Sequence, residues 1–354
     1  MRHIPQVATP HFPMLSRIVA VMFSALPLVA ADSWPSDVKE IRVHSTADQT
    51  EQPGLWWTPA DTGEPRPLLV GLHTWSSDSR QTGSSSPYLQ WCRQQGWHFI
   101  HPNFRGMNRT PEALGSDLAV QDIVDAVAWA KANAKIDARR IYLIGVSGGG
   151  HMSMLMAARH PEIWAGVSAW CGIVDIARWH AEHSPSGKSD RYASEIEKAL
   201  GGLPDNDARK KDARRRSPLT WLAAAREVPL DIAAGVHDGR KGSVPFRHSL
   251  DAFNAVVPVS ARMTDRALDT FYETQKLPDG WTAPPADPLF GTRQPVFRKT
   301  HDNTRVTIFE GAHEIVHEAA LNWLMLQEKG RPTVWDVESP VRLHVDAKQT
   351  KSGL

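Results

Sequence analysis

Apolar runs and helical periodicities alternate along most of this chain. Continuous apolar stretches at Pro67–His73 (PLLVGLH), Trp97–His101, Arg140–Gly145 (RIYLIG), Ala165–Trp170, Leu230–Gly235 (LDIAAG) and Arg305–Glu310 (RVTIFE) predict strands. Runs without polar alternation are what strands buried on both faces require. Shorter runs at Ile41–His44 and Leu55–Thr58 predict leading strands. Helices are expected at Ser86–Gln95, Gly115–Ala134, Ser147–Arg159 and Glu318–Gln327. In the second of these, Ile123, Ala126, Val127 and Ala130 recur at helical spacing. Strands alternating with helices point to an α/β fold: a mostly parallel central sheet with helices on both faces. Two stretches break the alternation, about 175–217 and 258–300. They read as insertions at the sheet edge that form a small lid. Residues 331–354 are polar and read as a weakly ordered tail.

Composition narrows the picture only slightly. The 354 residues carry 40 Lys plus Arg against 39 Asp plus Glu, a net charge of +1. So balanced a surface offers no global field for nucleic acid or an anionic membrane. Residues 1–31 read as a signal peptide: Arg17 precedes an apolar run from Ile18 to Val29, and Ala30 and Ala31 lead into polar sequence. The run falls short of the ~20 apolar residues of a spanning helix and contains Pro27, so no stable membrane insertion is expected. The expected location is secreted or periplasmic, with Met14 an alternative start to Met1. That leaves residues 32–330 as the folded domain. Cys92 and Cys171 fit either one disulfide or two buried thiols.

The sharpest chemical signal is Gly145-Val146-Ser147-Gly148-Gly149, a G-x-S-x-G sequence between the strand RIYLIG and a helix. In that setting the serine sits on a tight strained turn with its hydroxyl projecting above the sheet, and small neighbours let strand and helix approach. A serine hydroxyl is a poor nucleophile unless a base oriented by a carboxylate takes its proton. Asp238 lies just past the strand LDIAAG, where such a carboxylate belongs. Its rival Asp231 starts that strand, far from the reactive edge. His313 follows the strand RVTIFE directly, with a turn at Gly311. The chain order Ser147, Asp238, His313 suits the fold. Two backbone N–H groups should hold a developing oxyanion, those of Gly148 and of Trp75 in the His73-Thr74-Trp75 loop.

These features resemble the α/β-hydrolase superfamily, closest to the catalytic domain of prolyl-oligopeptidase-like proteins. The likeness runs from Leu69 to Gln327 and rests on His73-Thr74-Trp75, Asn103-Phe104-Arg105-Gly106, Gly145–Gly150, Asp238 through Val244-Pro245, and Gly311–Glu314. It implies an α/β-hydrolase fold and an acyl-enzyme mechanism needing no metal or organic cofactor. Thr74 departs from the glycine usual at that place. The family's peptidases also carry a β-propeller or other amino-terminal domain, whereas about 35 residues separate the signal from PLLVGLH, too few for a propeller. An ester substrate, carried on a small molecule or a polysaccharide, is therefore favoured over a peptide. The 14 Trp suit stacking on sugar rings, with Arg105, Trp179 and His180 as candidate substrate contacts.

One competing signature overlaps this site. His313-Glu314-Ile315-Val316-His317 spells H-E-x-x-H, which on a helix would bring two His to one zinc ion with Glu314 as base. Its position just after a strand, and the want of a third ligand before His344 in the tail, count against it.

Overall fold

The computed structural model describes Met1, residues 33–60 and residues 63–344. The segment read as a signal peptide lies, apart from Met1, outside the described residues. No described helix is long and apolar enough to cross a membrane.

Two leading strands, β1 (Lys39–His44) and β2 (Glu51–Trp57), form an antiparallel hairpin that joins the sheet through β2. The main alternation follows: β3 (Arg66–Leu72), α1 (Ser86–Gln95), β4 (His98–Pro102), α2 (Asp117–Asn133), β5 (Ile136–Val146), α3 (Gly148–Arg159) and β6 (Gly166–Trp170). Helices α4 (Ile176–Glu182), α5 (Arg191–Leu200) and α6 (Asp207–Arg216) come next, then β7 (Leu230–Gly235). The chain continues through α7 (Arg247–Val256), α8 (Asp265–Thr274), β8 (Pro295–His301), β9 (Thr304–Phe309) and α9 (His317–Met325). Among the described residues nine strands form one sheet in the order β1-β2-β4-β3-β5-β6-β7-β9-β8. From β4 to β9 all pairings are parallel, and antiparallel strands close both edges. This is the mostly parallel α/β sheet expected from the alternation, and the α/β-hydrolase fold that the resemblance implies. In α2, Ser116 caps the helix by accepting the Ala119 N–H, and Ala119, Ile123, Ala126 and Ala130 turn inward, as their spacing requires.

The two insertions stand differently against the expected place at the sheet edge. The first follows β6 near the middle of the sheet, so its helices do not sit at an edge. The second supplies β8, the edge strand itself, paired to β9. The described part of the tail is also docked. Trp335 stacks on Trp323 with ring centroids 5.4 Å apart, and Asn322 exchanges two hydrogen bonds with the Val341 backbone. Apolar Trp335, Val337, Val341 and Leu343 pack against the core, which polarity averaged over the tail had obscured.

Candidate active site

Strand β5 and helix α3 meet at Ser147, whose backbone takes φ 60°, ψ −120°. A non-glycine residue there is strained, and the surrounding contacts hold it. The Ser147 N–H donates to the Trp170 carbonyl at the end of β6 (2.9 Å), and its own carbonyl accepts the His151 N–H (2.9 Å). Glycine is obligatory beside it: a Cβ on Gly145 would come within 2.4 Å of the Gly149 backbone, so a larger residue would push α3 off the strand. The sequence produces the strain by forcing a strand to turn straight into a helix.

Asp238 and His313 meet as the sequence order suggests. The His313 Nδ1 lies 2.7 Å from Asp238 Oδ2. The other carboxylate oxygen accepts the N–H groups of Gly239 (3.0 Å) and Val244 (3.1 Å), and Asp238 is fully buried. Three hydrogen bonds thus fix the carboxylate, and it in turn fixes the imidazole plane and tautomer, leaving Nε2 free. The rival Asp231 is buried at the far end of β7 in an ion pair with Arg305 (2.8 Å). His313 and Ser147 line one pocket of about 680 Å³. No hydrogen bond joins Ser147 Oγ to the imidazole; such contacts often tighten only around a bound substrate.

Trp75 also lines this pocket. A Cβ on Gly148 would lie 2.6 Å from the Trp75 amide nitrogen, so glycine lets the two amides converge. Neither N–H has an acceptor among the described residues. The Trp75 carbonyl accepts the Asn108 N–H (3.0 Å), and its buried indole Nε1–H donates to Glu195 Oε2 on α5 (2.7 Å). Thr74, which departs from the usual glycine, is tied by its N–H to Gln81 Oε1 (2.7 Å).

Three expected substrate contacts are absent from the pocket wall. Arg105 is nearly buried in ion pairs with Asp48 and Asp122, each 2.6 Å away, and these tie the leading hairpin to α2. Its partners are remote in sequence, so it looked free. Trp179 is fully buried, donating to the Ser243 carbonyl (2.9 Å) and packing edge-on against Trp75 at 4.6 Å. His180 is paired with Glu197 (2.8 Å). The wall is instead made by Thr74, Ser76, Ser84, Tyr192, Ile315 and Arg191, among others. Arg191 and Tyr192 carry no motif. Asp190 preceding them, which caps α5 through two N–H groups, was the legible sign of a helix start there.

The H-E-x-x-H reading fails on geometry. Helix α9 begins only at His317, so residues 313–316 do not bring the two imidazoles onto one helical face. His317 Nε2 donates to the Ser84 carbonyl (2.9 Å), and burial lowers its pKa to about 4. Glu314 pairs with Arg293 (2.9 Å) and accepts the Ala312 N–H. Among the described residues, ligand atoms of Cys171, Asp238 and His313 do lie within 4.8 Å of one another. Cys171 is a buried thiol directed at the Glu314 carbonyl (3.3 Å), and burial together with the Asp238 charge raises its pKa. It is not bonded to Cys92; both are free and buried.

Known proteins place this arrangement. Residues 84–270 match the model of the prolyl oligopeptidase family, a span that holds Ser147 and Asp238 and stops short of His313. Dipeptidyl aminopeptidase BIII of Pseudoxanthomonas mexicana is 28% identical over 51% of this chain and 26% of its own length. Acetylxylan esterase A of Emericella nidulans is 23% identical over 44% of this chain and 53% of its own. The chain thus matches from about a quarter to about half the length of these curated relatives. A puromycin-hydrolyzing peptidase of Mycobacterium tuberculosis shares the fold, with a TM-score of 0.54, 16% identity, and coverage of 82% of this chain and 39% of that one. With slightly over half of its residues matched by the family model, the chain belongs to the prolyl oligopeptidase family and is a serine hydrolase.

Proposed function

We propose that this serine hydrolase is exported and cleaves carboxylic esters, acyl or methyl esters on carbohydrate, through an acyl-enzyme. The observation that carries the ester reading is the charge of the pocket wall. Among the described lining residues the one carboxylate, Glu314, is already engaged by Arg293. A peptidase that grips a free peptide amino terminus needs a carboxylate to spare for the ammonium group, since a buried unpaired charge is costly. Hydroxyls of Thr74, Ser76, Ser84 and Tyr192 suit a polyol instead. The resemblance to an acetylxylan esterase supports the same choice.

In this reading His313 Nε2 takes the Ser147 proton as Oγ attacks the ester carbonyl, while Asp238 stabilises the imidazolium. The N–H groups of Gly148 and Trp75 receive the negative oxygen of the tetrahedral intermediate. Its collapse breaks the ester C–O bond, and His313 gives its proton to the departing alcohol. Water then attacks the acyl-serine with His313 again as base, releasing the acid and restoring Ser147.

The test compares kcat/KM for acetylated xylo-oligosaccharides with that for dipeptidyl p-nitroanilides. The proposal expects turnover of the acetylated sugars at least tenfold above the peptides. Peptides cleaved faster than any acetyl or methyl ester of a sugar would overturn it.

A further inference from the structure

Arg191 opens helix α5 and lines the pocket that holds Ser147 and His313. We propose that its guanidinium makes the site select esters that carry a carboxylate, an inference that rests on the ester reading above.

The case begins with the partners Arg191 does not have. Within the same insertion, Arg178 is paired with Asp251, Arg209 with Asp205, Arg215 with Asp117 and Asp212, and Arg216 with Asp212. Arg191 forms no ion pair with any described carboxylate. The acids nearest it in sequence are committed elsewhere. Asp190 holds His183 (2.6 Å), Glu195 accepts from the Trp75 indole, and Glu197 holds His180 and Ser189. Glu314, the acid on the pocket wall, holds Arg293.

The guanidinium is nonetheless held in place. Its Nη2 donates to Ser76 Oγ (3.2 Å), and its carbon lies 4.7 Å from the centre of the Tyr192 ring. Ser76 is the neighbour of Trp75, so Arg191 stands on the side of the pocket where that amide N–H lies. Tyr192 is itself fixed by Trp179 and His183, with ring centroids 5.1 Å and 5.0 Å away. Stacking of this kind restricts a guanidinium while leaving its in-plane donors for a planar anion. Arginine at the first turn of a helix also opposes the macrodipole, where an acidic residue would be favoured. A local rule broken on a pocket wall is the pattern expected of a functional position. A carboxylate accepts a guanidinium bidentately, and the wall offers no competing free acid.

The test uses two matched pairs of esters. Mono-p-nitrophenyl succinate and its methyl ester differ only in a carboxylate on the acyl side. Para-acetoxybenzoate and its methyl ester differ only in a carboxylate on the alcohol side. Wild type is expected to prefer the charged member of at least one pair by about tenfold in kcat/KM, a preference that high salt weakens. Arg191→Gln should lower kcat/KM for that charged ester at least fivefold more than for its neutral partner, and Arg191→Lys should restore part of the difference. Lys198→Gln, which removes a charge from the exposed face of the same helix, should leave the preference unchanged. Neutral esters hydrolysed with no preference for the charged ones, or a preference that survives Arg191→Gln, would overturn the inference and leave the ester reading intact. No turnover of any of the four esters would overturn both.

Discussion

The two insertions invite comparison, because each buttresses a loop of the site but only one lines the pocket. Residues 175–217 build a hydrophobic cluster of their own, in which Ile176, Trp179, Ile196, Ala199 and Leu200 pack against Trp75 and Val244. Trp75 carries one proposed oxyanion donor and Val244 hydrogen-bonds Asp238, so this cluster supports both halves of the machinery. It also sends Arg191 and Tyr192 onto the pocket wall. Residues 258–300 instead merge with the main core, where Phe271, Trp281 and Phe297 pack together. Their link to the site is indirect: Gln275 donates to the Val236 carbonyl (2.6 Å), and Arg240 to that of Glu273 (2.9 Å), bracing the loop that bears Asp238. None of them lines the pocket. The difference teaches that the first insertion shapes the pocket wall, while the second behaves as scaffold.

The largest test of that contrast removes one aromatic anchor from each region. Trp179→Ala and Phe271→Ala should each cost about 3–5 kcal/mol of stability, since both side chains are buried and leave large cavities. Assayed well below the melting point, the Trp179 variant should also lose most of its kcat, whereas the folded Phe271 variant keeps it. Equal losses of kcat in both would erase the distinction.

A smaller effect is expected at Glu195. In Glu195→Leu the Trp75 indole N–H becomes a buried donor without a partner, at a cost of about 1–3 kcal/mol. Loosening of the Trp75 loop should lower kcat by roughly tenfold to a hundredfold, since the full loss of an oxyanion donor costs about 10²–10³. KM should change little, and Glu195→Gln, which still offers an acceptor oxygen, should recover most of the activity. A change confined to KM would show that Glu195 serves only binding.

The smallest effect concerns pH. His151 Nδ1–H donates to the Ile173 carbonyl (2.8 Å), and His248 Nδ1 accepts the Val174 N–H (3.1 Å), both at the root of the first insertion. Burial lowers both pKa values, that of His151 to about 4. Between the ordinary value near 6.5 and these lowered values the unfolded chain binds more protons than the native one, so stability is present above about pH 6.5 and is lost as pH falls toward 4. Hydrogen exchange should therefore rise in 175–217 before it rises in 258–300 on going from neutral to acid. The reverse order would place the acid-sensitive element elsewhere.

Parts of the molecule fixed by local rules could be read directly from the chain. Buried strands such as LDIAAG must be continuously apolar, and a serine between a strand and a helix needs flanking glycines, so sheet, elbow and triad candidates all showed themselves. What depended on distant partners did not. Arg105 resembled a site residue because Asp48 and Asp122, which absorb its charge, lie 57 and 17 positions away. Trp179 suggested a sugar platform, but its environment is set by Trp75 and Ser243 across the fold. Arg191 and Tyr192 were missed for a related reason: nothing local marks an arginine without an ion-pair partner among the described residues, or a tyrosine that Trp179 and His183 turn onto the pocket wall. Strand β8 was hidden because one face of an edge strand is polar, which in a proline-rich stretch resembles a loop.

The most direct test of the central claim is labelling of Ser147. Wild type and Ser147→Ala would be treated with a fluorophosphonate, mapped by peptide mass, and assayed on p-nitrophenyl acetate with and without a zinc chelator. The account predicts one phosphonylated serine, at position 147, with hydrolysis abolished by the label and by Ser147→Ala and indifferent to the chelator. Full hydrolysis by Ser147→Ala, or activity lost to the chelator alone, would contradict it.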